Sequence, residues 1–279
     1  MTKAMEMVSA AKMRRSVLAT QKSRLFTALT RQIVAQIPKQ QVLNSLPLHP
    51  LMIEREEKKK TLLLLITSNR GLCGNFNAAV LKESKAFFAG VPYEALDVLG
   101  VGKKSVLFSK RYGYSLIGVY DDFADKPTFE SVLPIARQII DFFISGAYDT
   151  VMVGYTHFGS AVSQQVCLRQ ILPLSLDAIH AYAEKESIKE TEITAEYTFE
   201  PSYQAVLEEV VPRLVEVLLY QMVLESSASE HSSRMVAMKN ATDNANTLVD
   251  TLTLTYNKAR QAAITQEISE IVGGAAALE

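Results

Sequence analysis

The chain has 279 residues, 48% of them apolar and 21% charged, with 29 basic side chains against 30 acidic ones. The longest strongly apolar run, residues 62–66, is far too short to span a bilayer, so any membrane association must come through a partner. Two cysteines, Cys73 and Cys167, neither in a CxxC pair, indicate reduced thiols in a cytosolic compartment rather than a disulfide framework.

The first 37 residues contain no Gly or Pro and read as one helix. Residues 1–39 carry eight Lys and Arg against Glu6 alone, a net charge of +7. A solvated charge run over residues 54–60 reads as the linker out of this helix. Residues 61–66, Thr-Leu-Leu-Leu-Leu-Ile, read as a strand buried on both faces, as in parallel sheets. The turn Arg70-Gly-Leu-Cys-Gly-Asn75 follows, then a helix over 77–89. A strand over 95–101 leads into a helical 103–110, and a third strand covers 116–120. A helix over 128–145 precedes a strand at 150–155, and residues 192–199 read as one more strand. Alternating strand and helix implies a doubly wound α/β sheet.

From about residue 202 the pattern becomes helical again. Residues 213–272 contain no Gly or Pro, and would form a rod of about 90 Å if helical throughout. A compact domain of this length has a radius of gyration of only about 19 Å, so such a helix must protrude. Met238, Ala241, Ala245, Leu248, Leu252, Thr255, Ala259 and Ala262 follow alternating steps of three and four, and Leu214, Val217, Leu224, Ala228 and Met235 extend that seam upstream. Ala4, Val8, Ala11, Leu18, Leu25 and Leu29 offer a matching seam on the first helix. Residues 213–279 carry a net charge of −3, opposite in sign to the first helix, which favours pairing only modestly. The expectation is an antiparallel coiled coil of the two chain ends with an α/β unit inserted between them. The divisions are 1–53 for the first helix and linker, 54–201 for a Rossmann-like foot, and 202–279 for the last helix.

Few residues suggest chemistry. Gly100, Gly102, Lys103 and Lys104 resemble a phosphate loop, but Asp97 stands where the first glycine belongs and Lys104 where Ser or Thr belongs. The four histidines lack metal-ligand spacing. Asp121 and Asp122 read as a loop, and Cys73, without a neighbouring histidine, as a small buried residue. No catalytic, metal or cofactor site is expected. The tip Ile271-Val-Gly-Gly-Ala-Ala-Ala-Leu278 is apolar on an otherwise polar rod and suits a hydrophobic socket in another protein. Gly273 and Gly274 read as a helix stop.

Four runs carry a resemblance: Thr2-Lys-Ala-Met-Glu-Met-Val-Ser-Ala-Ala-Lys-Met13, Thr67-Ser-Asn-Arg-Gly-Leu-Cys-Gly74, Arg234-Met-Val-Ala-Met-Lys-Asn-Ala-Thr-Asp-Asn244 and Tyr256-Asn-Lys-Ala-Arg-Gln-Ala-Ala-Ile-Thr-Gln-Glu267. Together they resemble the gamma subunits of F-type ATP synthases, in order and over the whole chain. The resemblance implies a non-catalytic central rotor stalk without cofactors. Its coiled coil would lie within a hexamer of alpha and beta subunits, with its foot beside epsilon and the membrane c-ring. Carried over by position, Arg234, Gln261, Thr265 and Glu267 fall at beta-subunit contacts, as do Lys3 and Met5 on the first helix. Tyr197 and Glu200 fall at the epsilon and c-ring contact. Family members begin about twenty residues upstream of the position of Met1, so the chain reads as N-terminally short. It lacks the cysteine-bearing insert of chloroplast type, which points to a bacterial complex peripheral to the cytoplasmic face of the inner membrane. No nucleic-acid partner is implied. A competing expectation is an α/β enzyme with a coiled-coil oligomerisation arm, marked by nucleotide at the sheet's carboxyl edge. Another is a nucleic-acid-binding coil using the basic first helix, though that helix lacks interleaved aromatics.

Overall fold

In the computed structural model, residues 1–44, 49–55, 59–121, 127–174, 200 and 202–276 are described. Five strands form one sheet in the order β3-β2-β1-β4-β5: β1 (Thr61–Ile66), β2 (Leu96–Val101), β3 (Ser115–Tyr120), β4 (Thr150–Phe158) and β5 (Gln164–Leu172). The first four are mutually parallel, and β5 returns antiparallel along β4. Helices α1 (Thr2–Asn44), α2 (Phe76–Phe87), α3 (Val106–Tyr112), α4 (Phe129–Ile144) and α5 (Tyr203–Ala276) complete the described elements.

The run of leucines in β1 makes the sheet a two-sided core. Strand side chains alternate between faces, so Leu62, Leu64 and Ile66 join one apolar cluster with α4 and the start of α5. Leu63 and Leu65 join the other, with Val80, Leu81 and Phe108 from α2 and α3. The parallel strands, α2 and α4 lie within a few residues of their expected spans. The strand β5 was not anticipated, and the strand expected at 192–199 lies outside the described residues. At the amino edge of the sheet, Asp97 accepts hydrogen bonds from Tyr148 Oη (2.8 Å) and pairs with Lys60 Nζ (3.2 Å).

The two chain ends do pair antiparallel, but through another face of α1. Thr2 Oγ1 lies 2.7 Å from Thr242 Oγ1, and Ser16 Oγ lies 3.2 Å from Ser227 Oγ. Over residues 1–23, where the side chains of α1 are described, the buried ones are Ser9, Ser16 and Thr20, spaced by seven and four. Ala4, Val8, Ala11 and Leu18 are exposed, so the expected apolar seam on α1 is overturned. The side chains of Leu25 and Leu29 lie outside those described. Small hydroxyl residues let the backbones approach, and Thr20 Oγ1 and Thr242 Oγ1 donate to the carbonyls of Ser16 and Met238 one turn back, which satisfies them inside the seam.

On α5 the seam divides. Leu214, Val217, Leu224, Ala228 and Met238 are buried, whereas Ala245, Leu248, Leu252, Thr255, Ala259 and Ala262 are exposed. Thr242 already faces the start of α1, and residues 243–274 are exposed apart from the half-buried Asn257. Gly273 and Gly274 do not end this helix, which continues to Ala276.

Two outcomes follow from these placements. Leu248 is 59% exposed and Leu224 1%. Leu248→Asp should therefore leave the unfolding free energy of the chain within about 0.5 kcal/mol, and Leu224→Asp should lower it by several, by burying an unpaired charge. Chemical denaturation that ranks the two alike would contradict this burial.

The second outcome concerns acid. Burial alone pushes the Asp97 carboxyl up, but the hydrogen bonds from Tyr148 and Lys60 outweigh it and hold the group below its ordinary value. A depressed folded value stabilises fully above the unfolded one, about 3.9, and that gain is lost as pH falls through the folded value. Asp97→Asn should thus be less stable than the parent at neutral pH, with the gap narrowing as pH falls below about 3.9. Denaturation across that range checks it, and a pH-independent gap would contradict it.

Candidate functional site

Two surfaces carry the residues singled out in the sequence. The first is the free part of α5. Gln261, Thr265 and Glu267 are all exposed there. Gln261 and Thr265 are one turn apart and share a face, whereas Glu267, two residues on, points to the opposite side. Ile264, Ile268, Ile271 and Val272 are exposed among them, so this rod mixes polar groups with an apolar stripe. Lys3 and Met5, near the start of α1, are also exposed, and Lys3 Nζ pairs with Glu6 at 3.1 Å. Glu200 is exposed, and Tyr197 lies outside the described residues.

Arg234 belongs to a second, buried site. It is 8% exposed, and its Nη1 donates to Glu230 Oε1 at 2.7 Å. Its Nη2 donates to the carbonyls of Arg70 and Gly71 at 3.2 and 3.4 Å. The expected partner-facing guanidinium is instead committed within the chain, fastening the loop after β1 to α5. That loop is tightly made. Ser68 Oγ donates to Arg70 O at 2.6 Å, Asn77 Nδ2 donates to the buried thiol of Cys73 at 3.1 Å, and Leu72 takes φ 62°. A left-handed leucine is uncommon and persists only where its surroundings fix it.

The remainder of this site went unnoticed in the sequence. Residues 221–232 of α5 are buried without a break, although Glu225, Ser226, Ser227, Ser229, Glu230, His231 and Ser232 are polar. Strand β4 explains why. Its pairing with β1 ends at Leu65 opposite Gly154, and it runs four residues further with one backbone edge open. Buried backbone groups require partners. Ser226 Oγ accepts from Thr156 N at 3.2 Å, and Ser229 Oγ donates to Thr156 O at 3.3 Å. His157 Nδ1 lies 2.7 Å from Glu225 Oε2, and Gln221 Nε2 donates to Glu225 Oε1 at 3.0 Å. Beyond the strand, Ser232 Oγ donates to Ala161 O at 2.7 Å and Ser233 Oγ to Gln164 Oε1 at 2.5 Å. The legible signal was five serines in eight positions of a helix, where good helix formers are expected.

The glycine-lysine loop after β2 has no free cradle. Gly102 N donates to Tyr120 O, Lys103 N to Asn69 Oδ1, Lys104 N to Ser68 O and Ser105 N to Gly102 O. All four amides that a phosphate would need are spent. A Cβ on Gly102 would stand 2.3 Å from Thr67 O, so this glycine serves close strand packing. Lys103 Nζ pairs with Asp121 at 3.2 Å.

A family model described as ATP synthase matches residues 1–278. The ATP synthase gamma chain of Halothermothrix orenii is 39% identical over 278 residues, spanning 100% of this chain and 93% of that protein. That of Chloroflexus aurantiacus is 40% identical over 279 residues, spanning 99% and 92%. The chain belongs to the ATP synthase gamma-chain family. Among solved structures it is similar to a chain of the central stalk and c-ring of Tetrahymena thermophila mitochondrial ATP synthase. The TM-score is 0.62 at 27% identity, over 86% of this chain and 99% of that one. A chain from Euglena gracilis mitochondrial ATP synthase, 20% identical with a TM-score of 0.56, shares the fold. For this gamma chain the α/β unit with a long antiparallel coil is thus both the observed and the family architecture.

Arg234→Ala should cost about 3–5 kcal/mol, because it takes the cation from a buried carboxylate and the donor from two carbonyls. Arg234→Lys should restore only part, since a single ammonium cannot serve both sides of the fork. Denaturant unfolding of the full chain reads both, and a loss under about 1 kcal/mol for the alanine would contradict the clamp.

Proposed function

We propose that this gamma chain is a non-catalytic rotor stalk that couples proton flow through a membrane ring to ATP synthesis and hydrolysis in its partner subunits. Residues 1–53 and 202–279 form the shaft and 54–201 the foot, with the first turns of α5 serving the foot's core. Lys3, Met5, Gln261, Thr265 and Glu267 contact beta subunits in a hexamer of alpha and beta. Arg234 acts from inside, by holding the loop after β1. Tyr197 and Glu200 meet epsilon and the c-ring. The complex sits at the cytoplasmic face of a bacterial inner membrane, which this chain touches only through the ring. No helix among the described residues is long and apolar enough to cross a membrane.

The observation that carries this reading is the exposed stretch of α5 after Thr242, with polar groups on opposite sides and an apolar stripe between them. Rotation of such a rod presents different groups to fixed neighbours, and only differential contacts shift a partner's equilibrium. In a reconstituted complex, Gln261→Ala and Glu267→Gln should lower proton-driven ATP synthesis while leaving assembly intact. A hydrogen bond to a charged group contributes about 1.5–3 kcal/mol, so the loss per variant is about tenfold or more in the affected step. Parental synthesis and ATPase rates in both variants would contradict the proposal.

A further inference from the structure

The rod and the foot meet over the polar stretch of α5, and its contacts differ in kind from those on either side. Before it, α5 packs by apolar contact: Leu207, Val211, Leu214, Leu218, Met222 and Val223 lie in the sheet's core cluster. Apolar contact has no preferred direction, so a helix held only in this way can turn about its axis by exchanging one set of contacts for another. From Glu225 onward the bonds are directional. Ser226 and Ser229 hold the amide and carbonyl of a single residue, Thr156, from both sides. Glu225 holds His157, Ser232 holds the Ala161 carbonyl, and Ser233 holds Gln164. On the other flank Arg234 holds the carbonyls of Arg70 and Gly71. These bonds reach the β4–β5 hairpin on one side of the helix and the loop after β1 on the other.

We infer that this two-sided set of hydrogen bonds is a torsional lock, which fixes the rotation of α5 about its own axis relative to the foot so that twist passes between shaft and foot without slip. Ser226, Ser229 and Ser232 are buried positioning residues that act through the helix they hold. A hydrogen bond weakens steeply below about 120° at the hydrogen, so turning the helix breaks bonds on both flanks together. The arrangement also explains why serine occupies positions where alanine would make a better helix. The inference rests on the stalk reading above.

The test is the triple variant Ser226→Ala, Ser229→Ala, Ser232→Ala in the assembled complex, with a bead on the foot and the hexamer stalled. Leu214→Ala is the control, since it weakens the same core without touching a directional bond. The angular fluctuation of the bead should broaden at least about twofold in the triple variant, as three bonds to the hairpin are lost, and keep its parental width in the control. Parental width in the triple variant, or equal broadening in both, would overturn the lock. If the bead on the parent complex does not rotate once the hexamer is released and hydrolyses ATP, the stalk reading fails instead. Single Ser226→Ala in the full chain supplies a readout independent of assembly. Exchange at the Thr156 amide should rise about tenfold, with β1 and β2 amides unchanged. An unchanged Thr156 rate would likewise overturn the lock.

Discussion

The open backbone edge of β4 past Gly154 is the constraint on which the rest of this molecule depends. A strand that outruns its neighbour inside a folded unit must find donors and acceptors from elsewhere. Here the long C-terminal helix supplies them, and this requires α5 to cross the carboxyl edge of the sheet in one fixed orientation. The cost is local. Serine is less favourable than alanine in a helix by up to about 0.5 kcal/mol, and each hydrogen bond gained contributes about 0.5–1.5 kcal/mol net. The bonds outweigh the propensity loss, though not by much per residue. The choice of serine is therefore better explained by geometry than by stability. Glu225, fully buried, is held by His157 and Gln221, which both reach it.

The coil follows the same chemistry. Over residues 1–23, whose side chains are described, its α1 face is built from Ser9, Ser16 and Thr20, so this part of the pair is joined by close approach and internally satisfied hydroxyls. Met5, Val8 and Leu18 in the same stretch are left outside. One continuous helix thus has three environments in succession: apolar core against the sheet, polar cradle at its edge with α1 alongside, and open surroundings beyond Thr242.

The sheet was legible because its signal is strong and local. Four consecutive leucines in β1 have only one comfortable setting, between two layers of helix, and their partners β2 and β4 are nearly as apolar. Strand β5 was not legible: Gln164, Gln165, Arg169 and Gln170 interrupt its alternation, and its place at the sheet edge makes few demands on those positions. The breaker-free ends correctly announced a long antiparallel pair. The seam on α1 was misread because periodicity was sought among apolar residues, while the hydroxyl residues Ser9, Ser16 and Thr20 hold the inner positions. On α5 the heptad pattern continues through Leu248 and Leu252 without change, although the last buried position described is Met238. Of the site residues, Gln261, Thr265 and Glu267 are as exposed as their polarity suggests. Arg234 was placed by motif alone, and motif carries no information on burial; its carbonyl partners lie more than 160 positions away.

The central claim is that α5 is one helix in three environments, and amide hydrogen exchange along it in the full chain tests this most directly. Most of a helix's stability in a protein comes from packing one face against the fold, and a helix packed in a core opens only with the fold. The expected profile falls in steps: slowest exchange over 207–223, slow exchange continuing through the polar stretch to about Arg234, and fast exchange from residue 243 to the tip. Uniform protection out to residue 276, or a fast-exchanging break within 224–234, would contradict it.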